Sequence, residues 1–418
     1  MRPLKSNDMR IPPIVFLIFF IFFVISFLTN ILGPLIPDII QSFDLSLGLA
    51  GFLPFSFFVA YGVASIPAGV LLEKYGEKKM MVSAFLLAFA GAVSFGLNPV
   101  FSTALFSLFL IGIGMAILQV VINPLLRTAG GDVNFAFFSV MGQLFFGAAS
   151  FISPMLYSYL VANVHSGRNA GGIIGLFDSL VTADLKWVSL YWVFAAIALA
   201  MVVVVGLVSF PRVELKEDEK IDTGKAFGAL LKDRFVWMYF LGIFCYVGTE
   251  QGVANWVSQF LQEYHGMNAA TTGASVVSWF WGLLTIGCLL GLLLLKIWDS
   301  RRVLIIFTSG AILSLLAGLF GPAEVAILAF PLVGFFASVM WSVIVSLALN
   351  SVAHYHGTFA GILCTGIVGG AVMPLIVGAL GDWVGLRNGM LFLLVTLGYI
   401  LSIGFWARPL VNNATIKK

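Results

Sequence analysis

Residues 69–79 read GVLLEKYGEKK and form a short polar segment between two long apolar stretches. Glycine lets two helices approach closely, an acid can lie near a helix end, and lysines favour the cytoplasmic side of a membrane. A loop that is merely positively charged would account for the lysines, but not for the spacing of glycine, leucine and acid. The segment therefore predicts a specific connection between two helices.

The composition around this segment is that of an integral membrane protein. The chain has 418 residues, of which 60% are hydrophobic and 10% charged, and its mean hydropathy is +1.05. Soluble domains are nearer one-half apolar and one-quarter charged. Since a membrane-spanning helix needs about 20 apolar residues, the chain can supply about a dozen helices and no separate soluble catalytic domain. The apolar runs are continuous rather than alternating, which argues against a transmembrane β-barrel.

Short polar segments divide the apolar sequence into twelve predicted spans. The most polar segment, residues 212–234, contains VELKEDEKIDTGK and is typical of a solvated linker. It separates a six-helix bundle over residues 1–211 from a second bundle over residues 235–418. The predicted spans are 11–37, 47–72, 80–97, 101–126, 134–161, 188–210, 235–261, 270–295, 303–320, 323–352, 359–380 and 389–406.

The lysine and arginine residues predict the orientation in the membrane. With the N-terminus in the cytoplasm, 19 of the 22 lie in cytoplasmic segments, and the outside segments hold only Arg168, Lys186 and Arg387. Omission of one span would reverse every later loop and destroy this asymmetry. We therefore expect an all-α integral membrane protein with twelve transmembrane helices and both termini in the cytoplasm, as a multi-pass protein of the inner (plasma) membrane.

The loop signature recurs twice along the chain. Residues 291–302 read GLLLLKIWDSRR, at the equivalent position six helices later, and residues 378–385 read GALGDWVG, after the eleventh span. Such repetition is expected of transporters that are built from internal repeats around a site near the midplane.

Residues 69–79 resemble the signature that the major facilitator superfamily carries between its second and third helices, G-x-L-x-D-[RK]-x-G-[RK]-[RK]. A glutamate replaces the usual aspartate. The resemblance implies the major facilitator fold, in which two six-helix bundles enclose a cavity. The residues that it assigns to a cytoplasmic gate motif are Gly69, Glu73, Lys74, Gly76 and Lys78.

One charged residue is predicted to lie near the centre of a span. Glu250 is sixteen residues after Arg234 and thirteen before Glu263, which places it about 20 to 24 Å from either along a helix. A charge at this depth is costly and usually functional. It either titrates or binds a cation during transport, or is a structural carboxyl that is hydrogen-bonded to another helix.

Polar and aromatic side chains accompany this acid on the seventh and eighth predicted spans. The amides and hydroxyl follow one another at spacings of four, three and four, which places them on one helix face; they line a wet cavity or hold helices together. Indoles beside amides suit a sugar, although indoles in a membrane also serve as packing. The residues are Gln251, Asn255, Ser258 and Gln262, with Trp256, Trp279 and Trp281.

Amides on three other spans extend this candidate substrate site. Gln119 and Asn123 lie one helical turn apart on the fourth span, and an unpaired amide facing lipid would cost several kcal/mol. Asn30 precedes Gly33 and a proline, which predicts a local helix break that frees backbone groups. Gln143 lies on the fifth span.

Several segments resemble one branch of the superfamily, the fucose, galactose and glucose permeases. They read LQVVINP at 118–124, YVGTE at 246–250 and GIVGGAVMP at 366–374. The resemblance implies import of a monosaccharide, a hexose or 6-deoxyhexose, by proton or sodium symport through alternating access. Two acids usual in the branch are replaced by Gln119 and Gly33, so Glu250 is left as the candidate coupling residue.

Other classes of function have less support. The chain shows no catalytic constellation, no metal-ligand spacing and no phosphate loop, so we expect neither an enzyme nor a cofactor, apart from a co-transported ion. The expected partners are a small sugar and the lipid bilayer, without nucleic acid, and the expected state is a monomer. The alternatives are an uncoupled facilitator or exporter of apolar small molecules and a membrane receptor that transports nothing.

Overall fold

The computed structural model describes residues 13–130, 135–167, 172–210, 225–351 and 356–408, and the regular structure in these ranges is helical. Eleven of the described helical stretches are long and apolar enough to cross a membrane. A further helix, Arg234–His265, has 32 residues and is less apolar because it carries Glu250 and the amides near it. The predicted architecture of twelve long helices in two bundles is confirmed.

Two predicted segments fall outside the described residues. They are the basic N-terminal segment, with Arg2, Lys5 and Arg10, and residues 211–224 of the linker region. The last part of the predicted linker, by contrast, is described and contains a short helix, Lys225–Leu230. The domain boundaries and the orientation in the membrane stay predictions.

The first bundle contains eight α-helices, because the first span is divided in two and a short helix precedes the sixth. A 3₁₀ turn, Ala183–Val188, leads into the last of them. The helices are α1 (Pro13–Thr29), α2 (Leu32–Phe43), α3 (Leu47–Tyr75), α4 (Glu77–Leu97), α5 (Phe101–Gly130), α6 (Phe135–Asn163), α7 (Gly172–Leu180) and α8 (Ser189–Leu207).

The second bundle follows the linker helix α9 (Lys225–Leu230) and has interrupted tenth, eleventh and twelfth spans. A turn of π-helix, Ala269–Gly273, precedes its second span. The helices are α10 (Arg234–His265), α11 (Ala274–Leu295), α12 (Ser300–Phe320), α13 (Ala323–Ala337), α14 (Met340–Leu349), α15 (His356–Thr365), α16 (Gly369–Val384), α17 (Leu386–Leu391) and α18 (Leu393–Trp406).

The predicted break in the first span is present. Helix α1 ends at Thr29 and α2 begins at Leu32, so Asn30 lies at the interruption. Pro34 falls in the first turn of α2, where its missing N–H has no intrahelical partner to lose. The break brings the polar side chain of Asn30 to the middle of the bundle.

The predicted end of this span at Pro37 is wrong, because the helix continues to Phe43. Pro37 removes one hydrogen bond, but the carbonyl that would receive it belongs to Gly33, at the very start of α2. The extension places Asp38 inside the span, where its carboxylate accepts a 2.5 Å hydrogen bond from the Tyr157 hydroxyl.

The two bundles meet mainly along three helix pairs, α2 with α10, α3 with α16, and α6 with α11. Small residues permit this close approach. Gly33 lies directly against the carbonyl of Ala254, so that a side chain at this position would overlap the backbone of α10. Gly147 lies directly against the side chain of Thr285.

At one end of the molecule, hydrogen bonds tie the bundles together. The carboxylate of Asp382 accepts from the backbone amides of Leu47 and Gly48, both at 2.8 Å. The Ser158 hydroxyl donates to the carbonyl of Ala270. In the predicted topology this is the extracellular end, and the structure is closed there.

Candidate functional site

A cavity of about 840 Å³ lies between the two bundles. Its wall reaches from Asn30 and Glu250, at mid-depth, to Leu72 and Leu295, at the ends of α3 and α11. Asp382 and the residues bonded to it take no part in the wall. The cavity therefore extends towards the end of the molecule that the topology predicts to be cytoplasmic.

Glu250 is the one charged residue among the described residues of this wall. It lies near the middle of α10, about 24 Å from the first residue of the helix at 1.5 Å per residue. Its carboxylate accepts a hydrogen bond from the Tyr246 hydroxyl, one turn earlier, and another from the Gln251 amide at 3.3 Å. The acid is thus held by its own helix and faces the space between the bundles.

The predicted amide stripe of α10 is divided between the wall and the core. Gln251 lines the cavity, but Asn255 lies behind it and donates to the Gln251 backbone carbonyl at 2.8 Å and to its side-chain oxygen at 3.2 Å. Ser258 is fully buried. Asn255 therefore orients Gln251 instead of lining the cavity.

The first bundle contributes amides to the opposite wall. Asn30 donates to the Ser150 hydroxyl at 2.9 Å, and Ser150 lies 2.5 Å from the hydroxyl of Ser26. This network holds the amide nitrogen of Asn30, and the residue lines the cavity. Gln119 and Gln143 also line the cavity, whereas the side chain of Asn123 lies outside the described residues.

The three predicted tryptophans have different surroundings. Trp281 lines the cavity, is 3% exposed, and has an indole N–H without a hydrogen-bond partner among the described residues. Trp256 is fully buried and donates to the carbonyl of Pro374 at 2.9 Å. Trp279 is 50% exposed and packs edge-on against Phe151. The structure brings Trp281 alone of the three to the other site residues.

Sequence reasoning missed other aromatic groups of the wall. Tyr61, Tyr246 and Trp341 line the cavity, and the rings of Tyr246 and Trp341 are 6.1 Å apart. Tyr246 could have been found, because it lies four residues before Glu250 and therefore on the same helix face. Trp341 stands in an apolar run without a polar neighbour to mark it.

Comparison with known proteins identifies the family. The sequence matches the profile of the Major Facilitator Superfamily over residues 18–367. The chain belongs to the major facilitator superfamily. Its relatives are transporters and not enzymes, as the sequence predicted, and the chain is a multi-pass membrane transporter.

Relatives within the superfamily include sugar transporters, and the predicted likeness to the fucose, galactose and glucose permeases is confirmed. The chain is 30% identical over 384 residues to a putative glucose/galactose transporter of Helicobacter pylori, with 90% of each chain covered. It is 28% identical over 382 residues to a glucose/galactose transporter of Brucella abortus, again with 90% of each covered. An L-fucose-proton symporter of Escherichia coli is 24% identical, over 85% of this chain and 84% of that one.

Solved structures of the superfamily share the fold. The E. coli fucose:proton symporter matches with a TM-score of 0.67 at 21% identity, over 96% of this chain and 100% of that chain. A bacterial homologue of the human lysosomal transporter Spinster, in an inward-facing and occupied conformation, gives a TM-score of 0.77 at 15% identity, over 94% and 96% of the two chains.

The superfamily signature forms the turn between α3 and α4. Gly76 ends α3 with a φ of 77° and a ψ of 166°, a conformation that is almost confined to glycine. Gly69 lines the cavity, and the ammonium group of Lys74 lies 5.2 Å from the ring of Tyr75. The side chain of Glu73 lies outside the described residues. The role of the motif as a gate stays a prediction.

Proposed function

We propose that the protein imports a monosaccharide by cation symport and that Glu250 couples the two movements. The observation that carries the proposal is the position of Glu250, as the one charged group in the described wall of a cavity between two bundles. A carboxyl group at this place can take up a proton or hold a sodium ion when the cavity faces one side of the membrane. It can release the ion when the cavity faces the other side.

The polar groups of the wall suit a neutral, hydroxyl-rich ligand. The first bundle presents amides, Asn30, Gln119 and Gln143, that can accept from and donate to hydroxyls. The second bundle contributes the indole of Trp281, which is 3% exposed and whose buried N–H, without a partner among the described residues, can donate to a ligand oxygen that reaches it. The cavity volume of about 840 Å³ is within the usual range of small-molecule sites, about 300 to 1,000 Å³.

The names of the relatives support a hexose or a 6-deoxyhexose as cargo, since they include glucose/galactose transporters and an L-fucose-proton symporter. The coupling ion is a proton or sodium. We further propose that the protein is a monomer in the inner membrane with both termini in the cytoplasm. The proposed bundles are 1–211 and 235–418, joined by a linker at 212–234.

Uptake into proteoliposomes tests the coupling. With one proton per sugar, a membrane potential of about 100 mV supplies about 2.3 kcal/mol, which is sufficient for about fifty-fold accumulation. We expect wild-type protein to accumulate one of a panel of labelled hexoses under an imposed proton or sodium gradient. Glu250→Gln should equilibrate the same sugar without accumulation and should retain exchange counterflow, because the glutamine still fills the wall but cannot carry a charge.

A matched control is Glu263→Gln, which removes an exposed acid from the same helix outside the cavity wall. It should accumulate sugar as the wild type does. Accumulation by the Glu250→Gln variant would refute the coupling role.

An uncoupled facilitator or exporter of apolar molecules is the second candidate. The observation in its favour is that the two acids usual in the sugar permeases are absent, with Gln119 on the cavity wall and Gly33 packed against α10. Equilibration of a solute by wild-type protein, with no accumulation under either gradient, would select it.

A further inference from the structure

Asp382 connects the two bundles through the start of a helix. It lies on α16, in the second bundle, and its two carboxylate oxygens accept from the backbone amides of Leu47 and Gly48, each at 2.8 Å. These amides are the first two of α3, in the first bundle. The side chain of Asp382 therefore caps a helix that begins 335 residues earlier in the sequence.

The first turn of α3 needs this carboxylate to satisfy its amides. The first four N–H groups of any α-helix have no intrahelical acceptor. In α3 the Leu49 N–H donates to the Ser46 hydroxyl at 3.2 Å, and the regular helical hydrogen bonds begin with Ala50, which donates to the Ser46 carbonyl at 3.0 Å. The N–H groups of Leu47 and Gly48 depend on Asp382, and a negative charge is favoured at this end of a helix dipole. Water must replace the carboxylate when the bundles separate here.

Glycines make room for the contact. A Cβ on Gly48 would lie 2.7 Å from the nearer oxygen of Asp382, and one on Gly51 would lie 2.9 Å from the Cα of Leu375. On the other side of the interface, Gly378 lies against the backbone of Leu47. The helix start and the carboxylate therefore meet only when α3 and α16 are fully packed together at this end.

We propose that Asp382 is a conformational latch, which stabilises the state that is closed at this end of the transporter and open at the other. The third copy of the loop signature, GALGDWVG at residues 378–385, thereby acquires a function that the cavity does not explain. The latch acts on the position of the two bundles and does not depend on which cargo is carried.

The experiment uses a native cysteine of the cavity wall as its reporter. Cys364 is exposed on the wall of the cavity, on the side that is open in this structure, so that its alkylation reports access from that side. Asp382→Asn removes the charge and turns one acceptor into a donor that faces an N–H. A carboxylate at a helix start changes an equilibrium about two- to fivefold. Because alkylation of Cys364 by N-ethylmaleimide follows the population of the open state, we expect it to slow by up to that factor.

The measurement is peptide-resolved mass spectrometry on the purified full-length protein, which separates Cys364 from Cys245 and Cys288. The matched control is Asp184→Asn, which removes an exposed acid at the same end of the molecule but outside the interface. It should leave the alkylation rate unchanged. A rate for Asp382→Asn equal to that of the wild type, or an equal effect of both variants, would overturn the proposal.

A second variant approaches the latch from the other bundle. Leu47→Pro deletes one of the two N–H donors and leaves Asp382 intact, and proline is favoured at the first position of a helix. Ser46 is already extended, with a φ of −70° and a ψ of 161°, as the residue before a proline must be. We expect alkylation to slow in the same direction by a smaller factor. No change, or faster alkylation, would count against the latch.

Discussion

The substitution Trp281→Phe isolates one donor of the candidate sugar site. Trp281 is 3% exposed, lines the cavity, and its indole N–H has no partner among the described residues. A buried donor that is left unpaired costs about 1 to 3 kcal/mol. A ligand oxygen that accepts from it recovers that cost, so the donor should contribute to binding. Phenylalanine keeps an aromatic face and deletes the donor.

The loss expected from a single neutral hydrogen bond is about 0.5 to 1.5 kcal/mol, which corresponds to a dissociation constant about two- to thirteenfold higher. Isothermal titration of the purified protein, with the hexose that proteoliposomes take up, measures this directly. Titration is preferable to quenching of tryptophan fluorescence, because the substitution itself removes a fluorophore.

The control for this substitution stands two residues away. Trp279→Phe makes the same chemical change on the same helix, but Trp279 is 50% exposed and lies outside the cavity wall. Its affinity for the sugar should equal that of the wild type. Unchanged affinity of Trp281→Phe, or an equal loss in both variants, would refute the assignment of the indole N–H to the ligand.

Two further predictions concern stability. Trp256→Phe removes the hydrogen bond to the carbonyl of Pro374 and should lower the free energy of unfolding by about 1 to 3 kcal/mol. The melting temperature in detergent should fall, while the affinity for sugar stays unchanged. Weaker sugar binding at full stability would instead place Trp256 in the site. Gly76→Ala forces a side chain into a backbone conformation with a φ of 77° and should cost about 1 to 3 kcal/mol. Gly206→Ala, where a Cβ would meet nothing, is its control in the same melting assay, and equal stability of these two variants would contradict the reasoning.

The spans could be predicted because hydropathy and loop charge respond to the bilayer and not to the details of packing. The helix breaks within the spans were harder to predict. The interruption at Asn30 has a sequence signal in the Gly33 and Pro34 that follow it, but the division of the tenth span between Ala337 and Met340 has none that is comparable. A break of that kind depends on which neighbours can satisfy the freed backbone groups, and one sequence does not contain that information.

The sequence indicated which spans carry polar and aromatic side chains, but not which of those side chains point into the cavity. Trp279 and Trp281 are two residues apart and so about 200° apart around a helix; helix geometry alone implies that both cannot face one cavity. The same geometry separates Trp256, about 140° from Gln251 around the helix, but it does not separate Asn255, which lies one turn after Gln251. Trp256 is buried by the packing of α10 against α16, as its bond to Pro374 shows, whereas Asn255 lies beside Gly33 of α2.

The single carboxylate in the described part of the cavity wall has a consequence for which solutes can pass. Among its described residues the wall contains no lysine, arginine or histidine, so a phosphate ester would bring two negative charges towards Glu250 without a counterion. We expect sugar phosphates to be excluded from the cavity on electrostatic grounds. Under the proposed function and topology, a hexose that is phosphorylated after entry would be retained even while the cavity is open to the cytoplasm.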